Sequence, residues 1–212
     1  MIRGATGRFL ALWLFILQAF LVQAQQLGPE ELVRKMTEEI LEAIKSDQQL
    51  AAGDRQKALK LAEEKILPHV DFEEATRLAV GRSWNQASPQ QKKQLVQEFR
   101  SMLVRTYSSA VSAYQGQTMK VLPARMKPDD TEVTVRNQYI RPGAKPVALD
   151  YAMRKTDAGW KIYDIVVEGI SLVLTYRSEF DVVVKQDGID GLLKRLAQKN
   201  TPPAGVGGAA KK

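Results

Sequence analysis

The chain has no cysteine among its 212 residues and a single histidine, His69. The first absence removes disulfides, thiolate metal sites and a cysteine nucleophile, and it leaves the fold to packing alone. One histidine without cysteine cannot build a usual zinc site or a Ser-His-Asp triad. His69 follows Pro68 just before a helix start, where an ordinary surface or capping histidine belongs. No G-x-x-x-x-G-K-[ST] or G-x-G-x-x-G run occurs, so the usual nucleotide-phosphate motifs are missing. Aromatic residues make up 7% of the chain, and no Lys/Arg-dense stretch is interleaved with them, which argues against nucleic acid. The acidic pairs Glu73-Glu74 and Asp129-Asp130 fall at a helix start and in a loop and read as solvated charge.

Apolar runs are also scarce, with one exception at the N-terminus. Arg3 and Arg8 precede an apolar stretch from Phe9 to Val22, followed by Val22-Gln23-Ala24 before Gln25. A basic region, a short apolar region and a small residue at the cut describe a secretory signal peptide over residues 1–24, cleaved after Ala24. An uncleaved anchor is the alternative, but the run falls short of the roughly 20 residues that span a bilayer. No cysteine stands at its end, which excludes a lipoprotein. Loss of the two signal arginines lowers the net charge from +7 to +5. The remaining length suits one domain over residues 25–199, and the Pro/Gly/Ala/Lys-rich stretch 200–212 reads as a disordered low-complexity tail.

Helical spacing dominates the first half. Leu32, Met36, Ile40 and Ala43/Ile44 mark a helix over 29–46, and Ala58, Leu61, Ala62 and Ile66 mark another over 54–66. Asp71-x-x-Glu74 reads as a capping box opening a short helix that Gly81 closes. Ser88-Pro89-Gln90-Gln91 is the strongest start, opening a helix to about Tyr114 and Gly116. Its stripes, Leu95/Phe99/Met102 and Val96/Leu103/Tyr107, are together wider than a surface helix needs, so it reads as a central buried helix or as one partly facing a ligand. The period then changes to two over 118–122, 131–141, 146–155 and 160–167, with turns at Pro142-Gly143 and Asp157-x-Gly159. After Gly169 a helix over 171–185 is expected, then a break at Asp187-Gly188 and a last helix through Leu192, Leu193 and Leu196. The fold class is therefore α+β, with helices packed on a curved antiparallel sheet of about four strands.

Asp164 stands mid-strand among apolar neighbours. It reads as an anchor taking hydrogen bonds from backbone or a neighbour. Alternatively it is a base of raised pKa in an apolar pocket, the plan of ketosteroid isomerases. A third reading is an exported adaptor whose apolar faces satisfy each other and hold no ligand.

Several pieces come in a telling order. These are Pro68-x-x-Asp71, Ala79-x-Gly81-x-x-Trp84, Ser88-Pro89-x-Gln91 with Phe99 and Tyr107, and Tyr151 at a strand end. The last is Gly159-Trp160-Lys161-Ile162-Tyr163-Asp164 running into Glu168-Gly169-Ile170-Ser171-Leu172-Val173 and Tyr176-Arg177-x-x-Phe180. In this order they resemble the MlaC, or toluene-tolerance, family from about Gln25 to Lys199. The resemblance implies an NTF2-like cone around a deep apolar pocket. It also implies a monomeric, non-enzymatic, soluble periplasmic carrier with one phospholipid as cargo and no cofactor or metal. Implied partners are the outer-membrane lipoprotein MlaA with a porin and the inner-membrane MCE protein MlaD of an ABC transporter complex. The implied role is to maintain outer-membrane lipid asymmetry.

A carrier must return what a bilayer offers its cargo, about 30 methylenes at roughly 0.8 kcal/mol each. The expected lining is Val133, Val135, Val147, Leu149, Tyr151, Met153, Ile165, Val167, Ile170 and Val173, with Phe99, Leu103 and Tyr107 from the long helix. In the strand 160–167 a shift of one residue would exchange its members for Trp160, Ile162 and Val166. Trp84 and Trp160 read as packing anchors, and Arg177 as a contact either to lipid phosphate or to Glu179 or Asp181.

Overall fold

The computed structural model describes residues 27–112 and 117–201. The expected signal peptide, the tail beyond residue 201 and the helix end at Tyr114 and Gly116 lie outside the described residues.

Helix α1 (Pro29–Ser46) starts with Pro at its first position and Glu30 and Glu31 in its first turn, both suited to a helix N-terminus. The short α2 (Gln48–Ala51) and α3 (Arg55–Lys65) are capped by Asp47 and Asp54, whose carboxylates each accept from two backbone N–H groups. Helix α4 (Phe72–Val80) begins at Asp71, which accepts from Glu74 N at 2.9 Å. The expected capping box is only half formed there, because Glu74 uses its carboxylate elsewhere. Glu74 is also not the solvated charge its sequence setting suggests. It is buried, and it binds Arg77 at 2.8 and 2.5 Å and Arg154 at 2.8 Å. Arg154 reaches Asp71 as well, at 3.1 Å, and so ties the sheet to the start of α4. Helix α5 (Pro89–Ser112) has the full box: Gln91 N donates to Ser88 Oγ at 3.2 Å and Ser88 N to Gln91 Oε1 at 2.9 Å.

The sheet has six strands rather than about four: β1 (Thr118–Val121), β2 (Glu132–Val135), β3 (Asn137–Ile140), β4 (Val147–Thr156), β5 (Gly159–Val167) and β6 (Ile170–Ser171). Their order is β1-β3-β4-β5-β6, all antiparallel, with β2 also on β4. One expected strand over 131–141 becomes β2 and β3 because Asn137 breaks the ladder. Its N–H donates to the Asp150 carboxylate, and its side-chain amide donates to Val135 O. Side-chain bonds of this kind compete with strand pairing.

Helix α6 (Leu172–Asn200) joins the two helices expected there through a kink at Gly188, whose φ of 69° suits glycine. Its second half folds back on α5: Leu192 and Leu196 are fully buried, Gln91 donates to Asp190, and Asn200 donates to Glu98. At the end of α4, Gly81 has a φ of +64°, a conformation that favours glycine. A Cβ there would meet Arg177 Nε at 3.0 Å. Arg177 thus lies over Gly81, while Glu179 pairs with Lys199 and Asp181 with Lys185.

Three apolar clusters form the core. One joins α4, α5 and α6 around Phe99, which meets Tyr176 and Phe180 edge-on at 5.1 and 5.2 Å. The second joins α1 to the sheet, and the third joins α1, α2 and α3. Trp84 and Trp160 are buried in the first and second, as packing anchors should be. Phe99→Ala should cost about 3–5 kcal/mol. Thermal melts should then fall by about 6–20 °C at this chain length. A fall of only a degree or two would mean that Phe99 is not the centre of this cluster.

Candidate functional site

The register of β2, β4 and β5 brings most of the expected strand residues onto one face. Val133 pairs with Met153, Val135 with Tyr151, Tyr151 with Ile165, and Leu149 with Val167. A β-bulge settles the ambiguity in β5. Ala152 pairs with Asp164 but Met153 pairs with Ile162, so Tyr163 is an extra residue. Ile162 and Ile165 therefore share a face, with Trp160 and Val167, whereas Val166 lies on the other. The two sets of residues that a one-residue shift would exchange are, apart from Val166, combined.

Exposure rises steadily along this face. On β4 it runs from Met153 (0%) through Tyr151 (8%) and the half-buried Leu149 to Val147 (36%). On β5 it runs from Ile162 (3%) through the half-buried Ile165 to Val167 (42%), and on to Ile170 of β6 (68%). The row Leu149, Val167, Ile170 crosses three strands by direct pairing. The result is an apolar track that starts in the core against Leu32, Val33 and Met36 of α1 and emerges at one end of the sheet. Six residue rises from Val147 to Met153 make it about 20 Å long. Burial raises the Tyr151 phenol to about 12, so it stays neutral across physiological pH.

The helix residues are placed differently. Phe99, Leu103 and Val173 belong to the α4–α5–α6 cluster, not to the sheet cluster. Tyr107 is partly exposed, its hydroxyl 3.4 Å from that of Tyr176. Burial, and then the hydrogen bond from Tyr107, push the Tyr176 phenol upward.

Asp164 pairs with Ala152, so it faces away from Tyr151 and the track. Its carboxylate accepts from Ser171 Oγ at 2.5 Å and from Val173 N at 3.0 Å, and Ser171 Oγ accepts in turn from Leu174 N at 2.9 Å. It is an anchor for the start of α6. An acid and a tyrosine converging in one apolar pocket, as an isomerase needs, are not what the fold assembles from Asp164 and Tyr151. The turn after β5 has φ of 49° at Glu168 and 80° at Gly169, positive at both central positions as in a type I′ hairpin. Glu168 is the one non-glycine residue with positive φ among the described residues, and it is held from both sides by Ala148: its N–H donates to Ala148 O at 3.0 Å, and its carboxylate accepts from Ala148 N.

Arg77, by hydrogen bond and charge, holds the Glu74 carboxyl below its ordinary value, and Arg154 adds to this. This cluster joins α4 to β4 and reads as structural. Among the described residues, no group of three His, Asp or Glu residues is disposed to hold a metal ion. No described helix is long and apolar enough to cross a membrane.

Comparisons with known proteins bear on the fold. A solved structure of a phospholipid-binding protein from Ralstonia solanacearum, in complex with a phospholipid, superposes with a TM-score of 0.75 at 39% identity, covering 82% of this chain and 97% of that one. The intermembrane phospholipid transport system binding protein MlaC of Haemophilus influenzae is 23% identical over 195 residues, 89% of this chain and 91% of its own. A toluene tolerance protein of Pseudomonas putida is 23% identical over 186 residues, 84% of this chain and 83% of its own. The model of the MlaC protein family matches residues 34–198, most of the domain just described, and the chain belongs to that family.

Proposed function

We propose that this chain is a periplasmic phospholipid carrier without catalytic activity. The observation that carries this reading is the apolar track, which is buried at one end and open at the other. Its length of about 20 Å is of the order of an acyl tail's, which fills one leaflet of a hydrocarbon core about 30 Å thick. The phospholipid bound by the similar Ralstonia protein supports the same cargo. Val133, Val135, Leu149, Tyr151, Met153 and Ile165 would face the tails, with Val147, Val167 and Ile170 at the opening. Phe99, Leu103, Tyr107 and Val173 would reach a tail only where their cluster meets it.

In this reading the signal peptide is cleaved after Ala24 and residues 25–199 form the lipid-binding domain. The protein shuttles lipid between an outer-membrane complex, the lipoprotein MlaA with a porin, and the inner membrane's MlaD with its ABC transporter. This traffic keeps the outer membrane asymmetric. Native mass spectrometry of the mature protein, purified without detergent, tests the core of the proposal. One added mass matching a diacyl phospholipid is expected. A clean apo mass, with no uptake from liposomes, would remove the carrier reading and favour an adaptor without ligand.

A further inference from the structure

The track is apolar along β4 and β5 but not on its β1–β3 side. Val135 pairs with Tyr151, and Tyr139 with Val147. These two registers are continuous, and they set Asn137 on the face of the track, opposite Leu149. Its partner on the other side is Val121 of β1, which packs in the cluster that joins α1 to the sheet. Asn137 is 1% exposed. Its amide nitrogen donates to Val135 O at 2.9 Å, but its Oδ1 is buried and accepts from no group among the described residues. Such orphans are rare in folded proteins, because the atom has given up water without a replacement. A donor for this oxygen has to come from outside the chain.

Its depth in the track indicates which donor. Leu149 stands two residues in from Val147, so Asn137 lies about 7 Å inside the open end. Nearer that end, Tyr139 is hydrogen-bonded to Gln117, a second buried polar side chain. Deeper in, Tyr151, Val133, Met153 and Ile162 follow one another by cross-strand pairing. Polar groups thus enter where a lipid's glycerol lies when its tail points inward and its headgroup stays at the opening. Val121 and Leu149 beside Asn137 are only half-buried, so a lipid on the track passes next to it. At this level a diacyl phospholipid presents ester oxygens alone, which are acceptors and give Oδ1 nothing. Headgroup amines and hydroxyls lie beyond the phosphate, on the solvent side. A monoacyl phospholipid keeps a free hydroxyl on the glycerol itself, a donor at the depth of Asn137.

We propose that the pocket also takes monoacyl phospholipids, and that Asn137 recognises them by accepting a hydrogen bond from the free glycerol hydroxyl at its Oδ1. The proposal rests on the carrier reading but is tested apart from it. The mature protein, freed of lipid, would be mixed with equal amounts of lysophosphatidylcholine and its 2-deoxy analogue, both below their micellar concentrations. Choline carries no hydrogen-bond donor, so the two lipids differ only in the glycerol hydroxyl. Native mass spectrometry should show an excess of about tenfold of the hydroxyl lipid, the worth of one hydrogen bond to a buried acceptor. Asn137→Leu should bind both lipids equally. Where that variant does not fold, Asn137→Val, which suits a strand, takes its place. Equal binding by the unaltered protein would overturn the proposal and leave Oδ1 to a buried water. A preference that survives the loss of Asn137 would overturn it too, because the hydroxyl would then meet another group. Diacyl phosphatidylcholine is offered in parallel. Uptake of the diacyl lipid without the monoacyl one would sink this inference alone, whereas uptake of neither would sink the carrier reading.

Discussion

Leu149→Glu is expected to give a folded protein that no longer retains lipid. Leu149 is half-buried at the middle of the track, between Tyr151 and Val147 on β4 and opposite Val167 on β5. In the empty protein a carboxylate at this position can turn towards the open end and remain hydrated, so the loss of stability should be modest, on the order of 1 kcal/mol. With a tail alongside, that carboxylate must either lose its water or displace the chain. Losing contact with three or four methylenes alone removes about 3 kcal/mol, more than a hundredfold in retention, and burying the charge would cost more. Native mass spectrometry should show the apo mass and thermal melts should show a small shift. Full retention of lipid at normal stability would mean that the tails lie elsewhere, and the helix residues Phe99, Leu103 and Tyr107 would become the candidates to pursue.

Asp164→Asn should do the reverse, weakening the protein while leaving its cargo in place. The carboxylate receives a hydroxyl and a backbone N–H at the first turn of α6, where the helix dipole also favours negative charge. Exchanging charged for neutral hydrogen bonds and losing the dipole interaction should cost about 2–3 kcal/mol. At this chain length that is a fall of about 4–12 °C in the thermal midpoint. Because Asp164 lies on the face opposite Tyr151 and Leu149, lipid stoichiometry should hold. A stable variant that has lost turnover of a ketone substrate would instead revive the isomerase reading.

What could be read from the sequence was local. The Ser88/Gln91 box, Asp71 as a cap, Gly81 and Gly188 as breaks and the alternation in β4 are all set by residues a few positions apart, and all appear in the fold. What escaped depends on partners far along the chain. The wide apolar surface of α5 is accounted for by contact with α3, α4 and α6, three neighbours that periodicity cannot name. The reach of Arg154 to Asp71 and Glu74 spans about eighty residues and removes Glu74 from the solvated face on which it seemed to belong. Similarly, the break at Arg136 follows from Asp150 engaging Asn137, which no pattern within 131–141 reveals. The candidate site shows the same division. Its strand residues came together because alternation carries that information, whereas the helix residues chosen for the same pocket joined a different cluster.

The bulge at Tyr163 has a consequence for how β5 can vary in length. In a regular strand, deleting one residue sends every side chain on one side of the deletion to the opposite face. In β5, excising Tyr163 would have no such effect. Trp160, Ile162, Ile165 and Val167 would then alternate regularly, still together, with Asp164 still opposite them. The strand can therefore shorten by a single residue at this point and keep both its apolar face and the anchor for α6. Losing Lys161 or Val166 instead would reverse part of the face. Related chains with a one-residue gap in this strand are expected to carry it beside the aspartate.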